Sequence, residues 1–196
     1  VHEIFIKAIF PLKINWGMIK NILRIGVPNG LENSMFQLGK ILVQGLVSSF
    51  GTAAIAANAV AGNVAALEII PGSSLGLAMI TVIGQCVGAK DYDGAVKYAK
   101  KLLLITYIFT AALNLPLLLL LPGIVSFYSL SGEAMTLALQ LLVFHGICTT
   151  IIWPIGFTLP NALRAANDVK YTMIVSVTTM WVCRIGLSYL LALTFN

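Results

Sequence analysis

The basic residues of this chain alternate with long apolar stretches in a pattern that only a membrane explains. Five apolar stretches cover most of the 196 residues. Ten of the twelve lysines and arginines fall in alternate connecting segments: Lys7, Lys13, Lys20 and Arg24, then Lys90, Lys97, Lys100 and Lys101, then Arg164 and Lys170. The segments around Gly51 and from Ser126 to Gly132 contain none. Because cytoplasmic loops of multi-pass proteins are rich in Lys and Arg, the pattern predicts a multi-pass protein of the plasma or inner membrane with a cytoplasmic N-terminal segment.

The composition supports a membrane environment. Hydrophobic residues make up 59% of the chain and charged residues only 10%, whereas a soluble domain is about 25% charged. The net charge of +5 lies in short loops beside the spans, so it indicates topology and no nucleic-acid partner. Cys86, Cys148 and Cys183 are far apart in apolar runs without metal-binding spacing. We therefore interpret them as structural thiols and expect no cofactor and no metal.

The apolar stretches predict an all-α transmembrane bundle of about five spans. These lie at about 21–50, 53–88, 102–121, 133–165 and 171–195, within a membrane domain that covers 21–196. Residues 1–20 are predicted to be a cytoplasmic connector or interfacial segment. Pro71 and Gly72 predict a kink in the second span. Because repeat-built transporters have even numbers of helices, five spans indicate an excerpt of a longer polypeptide.

A polar stripe runs along the first span. Asn29, Asn33, Gln37, Lys40 and Gln44 follow one another at i, i+4, i+8, i+11 and i+15. At about 100° per residue they fall within roughly 80° of arc, with Glu32 about 60° to one side. A lysine at mid-bilayer costs about 2.5 to 3.5 kcal/mol, so the stripe needs other polar helices or a water-filled cavity. A structural seam between helices is one interpretation, but the charges favour a cavity wall that contacts a substrate.

Glu32 is the candidate for ion coupling. A carboxylate partly withdrawn from water can bind and release a proton, or it can bind Na⁺ together with nearby amide oxygens. The alternative is an ion pair with Lys40. The two residues are eight positions apart, about 12 Å along a helix, so direct pairing requires a break in the helix.

Three further groups of polar residues allow two interpretations each. Arg184 is near mid-depth in the last span and needs a partner, for which Glu68 is one candidate; it belongs either to a buried ion pair or to the cavity. His145 fits a hydrogen-bonded packing histidine better than a proton relay. Asn161, Arg164 and Asp168 fit a helix end with a cytoplasmic salt-bridge cluster better than a functional site.

Residues 25–61 (IGVPNGLENSMFQLGKILVQGLVSSFGTAAIAANAVA) and 71–95 (PGSSLGLAMITVIGQCVGAKDYDGA) resemble the multidrug and toxic compound extrusion (MATE) transporters, above all the bacterial branch. LRAANDVKYTM at 163–173 and MWVCRIG at 180–186 fit the same family pattern. The resemblance implies an inverted-V transporter of twelve helices in two lobes. This chain would supply helices seven to eleven of the second lobe, without the first lobe and without helix twelve.

The same resemblance implies an antiporter that expels cationic or amphiphilic drugs in exchange for H⁺ or Na⁺. It implies that Glu32 is a second-lobe coupling acid. Together with the polar stripe, it leads us to expect that Asn33, Gln37, Lys40, Gln44 and Arg184 line the substrate cavity. Some members carry a second acid in helix ten, but residues 151–164 (IIWPIGFTLPNALR) contain none.

Two other function classes remain as alternatives. A lipid-linked oligosaccharide flippase of related helical plan would need a more basic cavity than Lys40 and Arg184 provide beside Glu32 and Glu68. An intramembrane enzyme based on His145 lacks a supporting motif such as HExxH or GxSxG. We therefore predict a transporter and no enzyme.

Overall fold

The computed structural model describes residues 15–194, which are helical almost throughout. The elements are α1 (Trp16–Ser48), α2 (Thr52–Glu68), α3 (Ile70–Gly88), α4 (Tyr92–Ser126), α5 (Gly132–Ile151), the π-helix π1 (Pro154–Thr158), α6 (Leu159–Ala165), α7 (Val169–Thr179), the π-helix π2 (Met180–Gly186) and α8 (Leu187–Thr194). No strand occurs among the described residues. The prediction of an all-α bundle is therefore confirmed. Residues 1–14 of the predicted connector lie outside the described residues.

Four helices in the described part of the chain are long and apolar enough to cross a membrane. They are Ile70–Gly88, Tyr92–Ser126, Gly132–Ile151 and Val169–Thr194, the last of which contains α7, π2 and α8. The first helix carries the polar stripe, and α2 has only 17 residues. Apolar side chains such as Leu119, Phe144 and Leu193 project from the bundle surface. Such a surface requires lipid, because water would not solvate it.

Side-chain caps determine where several helices begin. The Asn15 side chain accepts a hydrogen bond from the backbone N–H of Met18 at 3.2 Å, so α1 already includes residues 16–20 of the predicted connector. The Asp91 side chain accepts one from the N–H of Gly94 at 2.9 Å. The charged stretch that follows Asp91 is therefore the first part of α4 and not a loop. The connection between the predicted third and fourth spans, residues 122–132, is shorter than expected, since α4 continues through Pro122 to Ser126.

The second span is interrupted at a single residue. Ile69 separates α2 from α3, with Pro71 in the first turn of α3, where a missing N–H costs nothing. The Ser73 N–H still donates to the Ile69 carbonyl at 2.9 Å. The interruption is thus a helix junction without a loop.

The core lies mainly where α2, α4 and α5 meet. Its buried members are Ala57, Ala61, Val64, Leu121, Val125, Ala138 and Leu142. A second apolar cluster of Met79, Ile83 and Ala95 joins α3 to the start of α4. The first helix instead packs along α7 and π2. The packing is close at Gly39, where a Cβ atom would lie 2.8 Å from Met180 Cε. It consequently forms the edge of the bundle.

Candidate functional site

The predicted polar stripe is an exposed face of α1. Asn29, Asn33, Gln37, Lys40 and Gln44 are all exposed in the described bundle. The Asn33 side chain donates to the Asn29 carbonyl at 3.0 Å, and Gln44 Oε1 accepts from Asn58 Nδ2 of α2 at 2.7 Å. The face therefore presents amides and one ammonium group outward and extends onto α2 through Asn58.

Glu32 points away from this face into the bundle. Its exposed fraction is 4%, and its Oε1 accepts a hydrogen bond from Arg164 Nη2 of α6 at 2.6 Å. Arg164 Nη1 donates to Asn161 Oδ1 at 2.7 Å, one turn earlier on the same helix. The partner of Glu32 is thus Arg164, 132 residues away. Lys40 is not its partner, which agrees with the separation of about 12 Å between Glu32 and Lys40 along one helix.

Two glycines of α3 allow α6 and the residues before it to pack closely against α3. A Cβ at Gly72 would lie 2.4 Å from the Trp153 ring, and one at Gly76 would lie 2.5 Å from Asn161 Nδ2. Small residues four positions apart let membrane helices pack closely. The π1 segment packs into the same contact, where Thr158 Oγ1 donates to the Gly72 carbonyl at 3.3 Å. The close packing places Asn161, and with it Arg164, toward α1.

The Glu32–Arg164 pair retains unused hydrogen-bonding capacity. Glu32 Oε2 and Arg164 Nε are buried without a hydrogen-bond partner among residues 15–194. The Arg164 side chain is 23% exposed and the Glu32 side chain 5%. The guanidinium therefore supplies a fixed positive charge to a nearly dry carboxylate.

A second buried carboxylate lies on the other side of the bundle, at the end of α2. Glu68 is fully buried, and its Oε2 lies 2.5 Å from Nδ1 of His145 on α5. Thr149 Oγ1 lies 3.2 Å from the same nitrogen. Glu68 Oε1 has no hydrogen-bond partner within the described chain. His145 is thus a hydrogen-bonded histidine, and its partner is a carboxylate in the bundle interior.

Arg184 is exposed and lies within π2. Within residues 15–194 it forms no ion pair, and Glu68, its predicted candidate partner, contacts His145 instead. Its backbone carbonyl accepts a hydrogen bond from Ser188. The structure therefore places Arg184 apart from both buried carboxylates.

Sequence reasoning missed both partnerships. Glu68 was considered only for Arg184, and Arg164 only for a cytoplasmic cluster with Asp168. The structure keeps Asn161 with Arg164 and leaves Asp168 exposed. The sequence does contain one indication of these partnerships. An unpaired carboxylate in a membrane helix costs free energy, so Glu68 and Glu32 each require a partner.

The described surface also contains open apolar grooves. One lies between α1 and α7 and is lined by Leu31, Met35, Met173 and Ile174 among others; another runs along α5 beside Phe144. Neither groove includes a residue of the polar stripe.

Residues 28–190 match the family model described as MatE. The chain is 32% identical over 174 residues to a probable multidrug resistance protein NorM of Bacillus cereus, covering 87% of this chain and 37% of that protein. It is 31% identical to the protein of that name from Bacillus anthracis, covering 97% of this chain and 41% of the relative. The corresponding values for Oceanobacillus iheyensis are 30%, 97% and 42%. The chain spans about two fifths of the length of these relatives. No solved structure matches it.

Proposed function

The chain belongs to the MatE family, and on that premise we propose that it is part of a secondary active transporter that exports cationic or amphiphilic drugs in exchange for H⁺ or Na⁺. The family assignment and the names of the relatives favour transport over catalysis. The relatives are more than twice as long as this chain, which supports its role as one lobe of a two-lobe protein. The basic segments favour a cytoplasmic N-terminal end.

The exposed polar face of α1 is the observation that carries this proposal. Five side chains able to hydrogen-bond, one of them the cation Lys40, follow one face of a helix that lies in the membrane in the proposed transporter. Contact with hydrocarbon would leave these groups without partners. A water-filled cavity between two lobes satisfies them, and Asn33, Gln37, Lys40 and Gln44 then contact the substrate. Arg184 remains a proposed member of the same wall.

Glu32 lies to one side of this face, turned into the bundle, and is the proposed coupling residue. Its carboxylate is already neutralised by Arg164 at 2.6 Å. A proton or Na⁺ that binds Glu32 would compete with the guanidinium for the single negative charge of the carboxylate, so that ion binding weakens the Arg164 contact. That competition links arrival of the ion on α1 to release of α6, which is the kind of two-state contact that alternating access requires.

The test is drug transport by the complete protein that carries this chain, reconstituted in liposomes with an imposed H⁺ or Na⁺ gradient. Glu32→Gln should lose gradient-driven transport of a cationic dye such as ethidium while keeping wild-type expression. The matched control is Glu133→Gln, which changes an exposed glutamate in the first turn of α5 and should transport normally. Unchanged transport by Glu32→Gln would remove Glu32 from the mechanism.

A second assay separates the drug transporter from a flippase. The same liposomes receive a fluorescent polyprenol-linked sugar in place of the dye. The proposal predicts dye transport without translocation of the lipid-linked sugar. Translocation of the sugar without dye transport would replace the drug antiporter with the flippase.

A further inference from the structure

The contact between Glu68 and His145 joins a buried carboxylate to a partly exposed imidazole. Glu68 is 0% exposed, whereas 43% of the His145 side chain is exposed. A Cβ at Gly146 would lie 3.2 Å from Glu68 Oε1 and 2.8 Å from Leu118 Cδ2, so Glu68 is enclosed between α5 and α4. His145 is therefore the partly exposed group that contacts the buried carboxylate.

The surrounding helices supply no other charge to the pair. Glu68 is the one ionisable residue of α2, Cys86 is the one of α3, and π1 has none. On α5, Cys148 is the nearest ionisable neighbour of His145 and Glu133 is 12 residues earlier, about 18 Å along the helix.

The ionisable side chains of α4 and α1 also do not pair with Glu68 or His145. On α4, Tyr107 donates its hydroxyl to the Ile151 carbonyl at 2.9 Å. The other ionisable side chains of α4 are Tyr92, Asp93, Lys97, Tyr98, Lys100 and Lys101. They lie at least 17 residues before Leu118, about 25 Å away. On α1, the ionisable residues are Lys20, Arg24, Glu32 and Lys40, and within the described chain none forms an ion pair with Glu68. The charge of the pair is therefore decided by protons alone.

We propose that Glu68 and His145 bind one exchangeable coupling proton, as a second ion site of the transporter separate from Glu32. This inference rests on the proposed function and names H⁺ as the ion at this site. With the proton bound, Nδ1–H donates to the Glu68 carboxylate and Nε2 also carries a proton, so the pair is neutral. When Nε2 releases its proton through the exposed edge of the ring, the Nδ1–H bond remains and the pair carries one negative charge.

The chemistry of the two partners favours a proton over Na⁺. Hard cations take oxygen ligands, but the group facing Glu68 Oε2 is an imidazole nitrogen at 2.5 Å. Imidazole is the side chain whose charge changes near neutral pH. A nitrogen donor in the one hydrogen-bonding contact of the carboxylate therefore fits proton binding better than Na⁺ binding.

The position of the pair connects the proton to helix movement. Glu68 is the last residue of α2, directly before the junction at Ile69, and His145 lies two turns before α5 gives way to π1. A net negative charge left in this dry contact costs free energy. Release of the proton consequently weakens the attachment of the α2 end to α5, next to the helix junction at Ile69.

The test is pH-difference infrared spectroscopy on the complete protein in lipid nanodiscs without drug, between about pH 5 and 8. Isotope-labelled histidine marks the imidazole bands. We expect a titrating imidazole band that is lost in His145→Gln, altered in Glu68→Gln and unchanged in Glu32→Gln. A wild-type spectrum in which His145 keeps one protonation state throughout this range would overturn the proposal.

Two further measurements keep the outcomes distinct. If His145→Gln is not monodisperse, Glu68→Gln alone assigns the band, because it preserves the shape of the side chain. Parallel dye transport separates the two proposals. A titrating band without dye transport contradicts the drug antiporter and supports the proton site, whereas dye transport without the band contradicts the proton site alone.

Discussion

The described residues include two buried carboxylates, which differ in the side chain that faces them. Glu32 faces an arginine, whose guanidinium remains charged at any pH a protein experiences. Glu68 faces a histidine, the side-chain type that can exchange a proton near neutral pH. The first pair can change only if a side chain moves or another cation replaces it. The second can change with no movement, when a proton arrives or departs.

The two buried pairs share one structural feature, a glycine that leaves space beside each of them. In each, a glycine leaves the space that the pair occupies: Gly76 faces Asn161, the hydrogen-bond partner of Arg164, and Gly146 faces Glu68 itself. Each pair also joins helices distant in sequence, α1 to α6 and α2 to α5. The difference between them thus lies in the cation and not in the packing.

The largest effect is expected where the fixed charge is removed. Arg164→Ala leaves the Glu32 carboxylate buried and unpaired, which should lower the free energy of unfolding by about 3 to 5 kcal/mol. Lys170→Ala, which changes an exposed basic residue in the first turn of α7, is the control and should change little. Chemical unfolding in detergent measures both. Equal stability of the two variants would show that Glu32 needs no counter-charge and would contradict a stabilising role for Arg164.

A smaller effect is expected from crowding the glycines. Gly76→Ala displaces Asn161, and Gly146→Ala pushes against Leu118 and Glu68 Oε1; overpacking of this kind costs about 1 to 3 kcal/mol. Gly84→Ala is the matched control, because nothing lies within 4 Å of its Cβ position and alanine favours helix by up to about 1 kcal/mol. Thermal unfolding of the three variants is the measurement. If Gly76→Ala and Gly146→Ala unfold at the same temperature as Gly84→Ala, neither pair depends on close helix packing.

Local patterns were enough to predict the helices and the polar face of α1. The stripe from Asn29 to Gln44 follows from the period of one helix, and no other element is needed to place those side chains together. The helical start of α4 was missed because its charges were interpreted as a loop, although a capped helix can extend into water beyond the membrane. Here Asp91 provides that cap.

Long-range partners could not be predicted in the same way. Glu32 and Arg164 are separated by 132 residues, and Glu68 and His145 by 77. Their pairing depends on which helices pack together, which the apolar pattern of each helix leaves open. The rejection of a Glu32–Lys40 pair was possible from sequence because both residues lie on one helix. The only residues of the sequence that hinted at the π-helices at 154–158 and 180–186 are Pro154, Gly156 and Gly186.

Water at the polar face of α1 is the condition on which the whole account depends. It can be measured by placing single cysteines at Gln37 and Lys40 in the complete protein, with all native cysteines replaced, and adding a membrane-impermeant thiol reagent. A cysteine at Leu119, highly exposed on α4 and flanked by leucines, serves as the lipid-facing control. We predict that Gln37→Cys and Lys40→Cys react, that a transported drug protects them, and that Leu119→Cys does not react. Failure of both stripe positions to react from either side of the membrane would contradict the account and leave α1 with a purely structural polar seam.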